Sequence, residues 1–278
     1  MDDKKHAPVR AALASHRWAD LTSNDLLSLD AARTVAVLPL GATEQHGPHL
    51  PMSVDTMLVE GVIRSALPHL SDQDPVWFLP TQSVGLSTEH TAFAGTLSLS
   101  PQTVLQQWCD IGASVARAGV KKILLFNAHG GHVGLMDVAA RELRAQHGLL
   151  VYSNSWYQLP LDASVMQLFS PDEHRFGIHA GDIETSMMLA LAPELVRMDL
   201  AQNFASASQA RAAHHPVLGN GKSAKLGWHM QDYNPQGAVG NASAATADKG
   251  HALLKTAGEQ LAKLLKEMVA LPLSTLRT

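Results

Sequence analysis

Unbroken apolar runs alternate along this chain with segments whose apolar residues recur every three or four positions. "TVAVLPLG" (34–41) is a short β-branched run ended by glycine, the pattern of a strand buried on both faces. "DTMLVEGVIRSALPHL" (55–70) then takes helical spacing with Asp55 at its start, and "VWFLPTQSVG" (76–85) reads as the next strand. "PQTVLQQWCDIGASVARAG" opens with proline and closes with glycine, as helices prefer. "KKILLFNAHGGH", "GLMDVAARELRAQHG", "LLVYSNSW" and "DIETSMMLALAP" continue as strand, helix, strand and helix. Thr22 to Asp25 offer caps for a short early helix, and "SAATADKGHALLKTAGEQLAKLLKEMVALP" is a long amphipathic closing helix.

Strands alternating with helices at this spacing predict an α/β fold with a mostly parallel central sheet covered on both faces. Residues 1–20 are polar and alanine-rich, read as a loose N-terminal arm, and 21–278 as a single domain. Within it, 200–242 loses periodicity and collects Gly, Asn, Pro, His and Trp, the mark of a long functional loop or lid.

Composition narrows the function classes. Hydrophobic residues make up 46% of the 278, the formal net charge is −4, and Lys and Arg are scattered, so neither a nucleic-acid nor a membrane-surface partner is expected. The single cysteine, Cys109, sits in an amphipathic helix and fits a reducing compartment. No signal-type apolar core opens the chain and no run of about 18 apolar residues occurs, so a soluble, cytoplasmic protein is expected.

The candidate chemistry collects where an open parallel sheet binds ligands, beyond the carboxyl ends of its strands. Glu44, His46 and Asp55 follow the first strand, Glu89 and His90 the second, and Asn127, His129 and His132 the third; His179, Asp182 and Glu184 open a later helix. Glu44 and His46 are two apart, so in an extended segment they point the same way. Imidazoles suit Zn²⁺, and carboxylates widen the choice to Mn²⁺ or Fe²⁺. Taken singly, His46 reads as a loop histidine, Asp55 as a helix cap and His132 as a cap for the helix after it. Glu89 and His90 read equally as substrate contacts or as a buried structural pair. A serine triad built on Ser87 lacks the G-x-S-x-G elbow that would expose its hydroxyl.

"LPLGATEQHGPHLPMSVDT", "STEHTAFAGTLSLS", "LLFNAHGGHVG" and "HAGDIETSMMLALAPELV", with a late "VGNASAATADKG", together resemble the creatininase (creatinine amidohydrolase) superfamily over about residues 15 to 265. The resemblance implies a three-layer α/β/α sandwich, a homo-oligomer such as a hexamer, and two divalent metals per subunit hydrolysing an amide C–N bond. By motif, Glu44, Asp55 and His129 look like ligands of one ion and His46 and Asp55 of the other, with Asp55 bridging; His179 looks like the catalytic histidine.

True creatininases carry an aromatic residue and a glutamate where this chain has Gly130 and Gly131. Glu184 is the substitute expected here, either completing the metal shell or orienting water. The tryptophan upstream of the catalytic histidine is replaced around Arg175-Phe176, while Trp156 matches a family aromatic. Glu89, His90, Gly130, Gly131, Trp156 and Arg175 are therefore the expected substrate contacts, with Gly130 and Gly131 offering N–H groups to an anion or carbonyl. The expected substrate is a small cyclic amide, lactam or formamide other than creatinine. A peptidase acting on a small modified peptide and a catalytically silent metal-binding relative are the alternatives.

Overall fold

The computed structural model describes residues 15–277. Its elements run α1 (Ser23–Leu27), β1 (Val35–Leu40), α2 (Val54–Ala66), β2 (Val76–Phe78), α3 (Pro101–Arg117), β3 (Lys122–Asn127), α4 (Val133–His147), β4 (Leu150–Ser155), α5 (Ala163–Met166), α6 (Pro171–Phe176), α7 (Asp182–Leu191), β5 (Asn203–Phe204), α8 (Ala207–His214), β6 (Gly240–Asn241) and α9 (Ala247–Ala270). Of the arm expected over 1–20, residues 1–14 lie outside the described residues. His16 is buried, and its Nδ1 donates to the Val76 carbonyl at 2.9 Å, so the chain there is pinned rather than loose.

The main sheet has the order β2-β1-β3-β4, with every pairing parallel. Alternation along the central strands sorts side chains into two cores. Val35 and Val37 of β1, with Leu124 and Phe126 of β3, pack under α2, α7 and α9. Ala36, Leu38 and Leu40, with Ile123 and Leu125, pack against α3 and α4. Three layers, α/β/α, follow directly from that sorting.

Local chemistry sets the helix ends. Ser100 Oγ accepts the Thr103 N–H ahead of Pro101, Thr246 Oγ1 accepts the Lys249 N–H, and Gly148 closes α4 at φ 65°, a left-handed conformation that suits glycine. Pro39 lies in a central strand, where a missing N–H would normally break the ladder. Here its carbonyl accepts from Gln82 N (2.9 Å), on the edge where β2 has already ended at Phe78. The ladder to β3 is therefore untouched. The strand expected over 76–85 is correspondingly shorter, its second half running as a loop beside β1.

Lys122 begins β3 fully buried, donating from Nζ to the Met268 and Val269 carbonyls (2.8 and 2.9 Å) at the C-terminal end of α9. An ammonium there satisfies carbonyls the helix cannot pair itself. Lys122→Met keeps the stem but loses both charged hydrogen bonds, so unfolding stability should fall by about 3 kcal/mol. Urea titration of both proteins checks this; an unchanged midpoint would assign the contact no net value.

Because β1 leads to β2 on one side and β3 to β4 on the other, the chain diverges between β1 and β3. That divergence leaves a crevice at their carboxyl ends. β5 and β6 form a separate antiparallel pair. The irregular 200–242 region thus carries two short strands and α8. Among the described residues, no helix is long and apolar enough to cross a membrane.

Candidate metal centre

Loops from both sides of the crevice bring Glu44, His46, Asp55, His129, His179 and Glu184 together. His129 Nδ1 lies 3.2 Å from Glu44 Oε1 and 3.4 Å from Asp55 Oδ2. His46 Nε2 lies 3.6 Å from Asp55 Oδ1 and 3.9 Å from Glu184 Oε2. The two oxygens of Asp55 therefore face different histidines, as a bridging carboxylate would. Asp55 reaches this place because α2 begins at Val54, directly after the loop from β1.

Each histidine is oriented from behind. His46 Nδ1 donates to the Glu44 carbonyl (3.0 Å), His129 Nε2 to the Leu86 carbonyl (2.8 Å) and His179 Nε2 to the Gln45 carbonyl (2.8 Å). Spending one ring N–H on the backbone turns the other nitrogen toward the carboxylates, the arrangement that metal-ligating imidazoles adopt. His46 Nε2, both Glu44 oxygens and Asp55 Oδ2 are buried without a hydrogen-bond partner. Such atoms are costly unless something positive engages them. Among the described residues, Glu44, Asp55 and His129 form one group within reach of a single ion, His46, His179 and Glu184 a second, and Glu44, His90 and His179 a third. The donor set, imidazoles with carboxylates, fits divalent metal.

Electrostatics describe the same competition in terms of protons. Burial works against the charge on His46, but Asp55, then Glu184 and Glu44, lift it to about 9. Burial likewise opposes His129, which Glu44 and then Asp55 hold well above the ordinary imidazole range. Asp55 stays below the carboxylate range against its burial, through His46 and then His129. Burial raises Glu184 to about 7 and lowers His90 to about 3. His179 is held well below its usual value, first by burial and then by His46 and His90, and so stays neutral.

Glu184 sits in the first turn of α7 and its Oε2 accepts the Ala180 N–H at 2.6 Å. Ala180 adopts φ 54°, the left-handed region that costs a non-glycine residue about 1 kcal/mol or more. Val239 N donates to the His179 carbonyl (2.9 Å), holding the strained turn from its other side.

A cavity of about 460 Å³ opens over these groups. Its lining includes Glu44, Asp55, Glu89, His90, His129, Gly130, Gly131, His179 and Glu184, together with the apolar and aromatic Trp156, Tyr157, Leu161, Met166, Ile178 and Trp228. One expectation fails. Arg175 is exposed, its guanidinium stacked 4.8 Å over the Phe176 ring, and it does not line the cavity. Gly130 and Gly131 both line the cavity, and the Glu89 carboxylate fills the space where a side chain at 131 would begin. His132 is the N-cap residue of α4 as expected, but its side chain makes no capping bond; the ring instead bridges Asn127 Oδ1 (3.1 Å) and the Leu86 N–H (3.1 Å). Ser87 Oγ is buried and bonds to neither His90 nor His179.

Other residues at the site were not expected. Gln45 Nε2 donates to His90 Nδ1 (2.7 Å), although strict alternation would turn Gln45 away from Glu44 and His46. The loop 41–50 is not an extended strand, which is why all three converge. Glu173 is a buried carboxylate that accepts the Ile183 and Asn241 N–H groups (3.3 and 2.9 Å), packed beside Gly177, Gly181 and Gly240. Its only sequence signal was the glycines around it. Tyr157 and Trp228 carried none beyond being aromatic.

Fold and site define a class: a three-layer α/β protein with clustered acids and imidazoles at the sheet's switch point. The family model for creatininase, described as creatinine amidohydrolase, matches residues 19–265. This chain belongs to the creatininase family. The mycofactocin precursor peptide peptidase of Mycobacterium ulcerans (strain Agy99) is 32% identical to it over 219 residues, 77% of each chain. The creatinine amidohydrolase of Pseudomonas putida is 28% identical over 250 residues, 85% of this chain and 90% of that protein. The solved structure of a mutant creatininase of the Zn-Zn type aligns with TM-score 0.72 at 26% identity, across 91% of this chain and 97% of that one.

Proposed function

We propose that this protein hydrolyses the C–N bond of an amide in a small molecule, using a pair of divalent ions such as Zn²⁺, Mn²⁺ or Fe²⁺. Glu44, Asp55 and His129 would hold one ion, and His46, Asp55 and Glu184 the other. The observation that carries the reading is the orientation of His46 and His129. Each has one N–H bonded to a backbone carbonyl and the other nitrogen aimed at Asp55. Bound metal supplies an acidified water and polarises the amide carbonyl. The chain's own residues do the rest. His179, neutral and fixed by Gln45, accepts a proton at Nδ1 and returns it to the departing nitrogen. Trp156, Tyr157 and Trp228 pack the substrate body and exclude water.

A second reading, a peptidase acting on a short modified peptide, is favoured by the kinship to the Mycobacterium ulcerans peptidase and by the size of the cavity. On either reading the protein works as a homo-oligomer, the assembly its family resemblance implies.

The test joins metal uptake to turnover. At neutral pH, below the value of about 9 for His46, that imidazole holds a proton in the metal-free protein. Zn²⁺ uptake should release protons, and affinity should weaken as pH falls. Calorimetry in two buffers of different ionisation enthalpy reads this directly. Chelation should abolish hydrolysis across a panel of lactams, formamides and short peptides, and Zn²⁺ or Mn²⁺ should restore it. Stoichiometric metal with no turnover on the whole panel would leave a silent metal-binding protein instead.

A further inference from the structure

We propose that Glu89 determines substrate specificity by receiving a protonated amine, or an equivalent cationic N–H group, beside the scissile amide. This deepens and rests on the amide-hydrolase reading above.

Glu89 lines the cavity with its side chain only 13% exposed. Its sole polar neighbour among the described residues is His129, whose Nε2 lies 3.5 Å from Oε1. That N–H is already given to the Leu86 carbonyl at 2.8 Å. Glu89 belongs to none of the groups able to share a metal ion. Neither Glu89 oxygen is among the fully buried unpartnered atoms, so the carboxylate opens onto the cavity with no protein donor of its own, where a ligand's N–H can reach it.

Its place is held open by a specific neighbour. A Cβ at Gly131 would fall against Glu89 Oε1 and His129 Nε2, far inside contact distance. The absent side chain at 131 and the carboxylate at 89 therefore occupy one volume between them. Charge points the same way: the lining contains five carboxylates, Glu44, Asp55, Glu89, Glu173 and Glu184, and no Lys or Arg. Two divalent ions would engage Glu44, Asp55 and Glu184, and backbone N–H groups satisfy Glu173. Glu89 is left for the substrate. The same lining disfavours a phosphate-bearing substrate, which would want cations it does not offer.

Two probes differing only in the amine read the assignment near neutral pH. L-phenylalaninamide and 3-phenylpropanamide share a ring for the apolar wall and an amide for the metal centre. With Zn²⁺-loaded wild-type protein, the amine-bearing amide should be preferred about tenfold or more in kcat/KM and in calorimetric Kd, as charged hydrogen bonds give. Glu89→Gln should reduce the preference to within about twofold at unchanged zinc content.

No preference in the wild type, no binding of either amide, or a preference retained by Glu89→Gln would overturn the proposal. So would equal weakening of both amides with loss of zinc, which would assign Glu89 to orienting His129. Binding with the expected preference but no turnover would sustain the recognition role while removing the hydrolase reading.

Discussion

Asp55→Asn should lower kcat/KM by about 10³-fold or more and leave the protein with less than its full complement of metal. The substitution keeps shape and volume but removes the negative charge facing His46 through Oδ1 and His129 through Oδ2. One unit pair about 4 Å apart at an effective dielectric of about 20 is worth about 4 kcal/mol, and about 1.4 kcal/mol is a factor of ten. Asp55 would face two dications on the proposed reading, so this figure is a floor. Metal content by emission spectroscopy and kcat/KM on the best panel substrate are the two measurements. A variant retaining full metal and more than a tenth of the activity would remove Asp55 from the bridging role.

His179→Gln should behave differently, with kcat falling by about 10²–10⁴-fold, KM nearly unchanged and metal retained. Glutamine can still donate to the Gln45 carbonyl, as His179 Nε2 does at 2.8 Å, but cannot carry a proton. The acidic limb of the rate profile gives a second readout. His179 is held well below its usual range by burial and by His46 and His90, so it accepts protons until the pH falls through that lowered value. In the metal-saturated wild type, activity should therefore persist through neutral pH and decline on the acid side. In His179→Gln the remaining activity should lose that limb. Metal loss on substitution would make His179 a ligand in the group it shares with His46 and Glu184.

What could be read from sequence followed the strength of each local rule. β1 and β3 were legible because a strand buried on both faces is an unbroken apolar run, and α3 and α4 because glycine and proline marked their ends. Glu44, His46, Asp55 and His129 were legible because strand ends in an open sheet are where ligands gather, and the structure brings all four together. Arg175 was misplaced because charge type says nothing about which way a residue in a short helix points. Gln45 escaped because the alternation rule assumes an extended backbone, and the loop after β1 is not one. Glu173 and Trp228 reach the cavity through long-range packing, on which local periodicity is silent.

The metal-side groups stand on the central sheet and its first helix turns, whereas Trp228 comes from the irregular segment between α8 and β6. The apolar lining thus draws on more than one part of the chain, since Trp156 and Tyr157 directly follow β4. Replacements around Trp228 can reshape what is admitted, while Val239 at the far end of that segment keeps its bond to the His179 carbonyl. Such a division lets a lineage exchange one amide for another over evolutionary time while its hydrolytic apparatus stays in place.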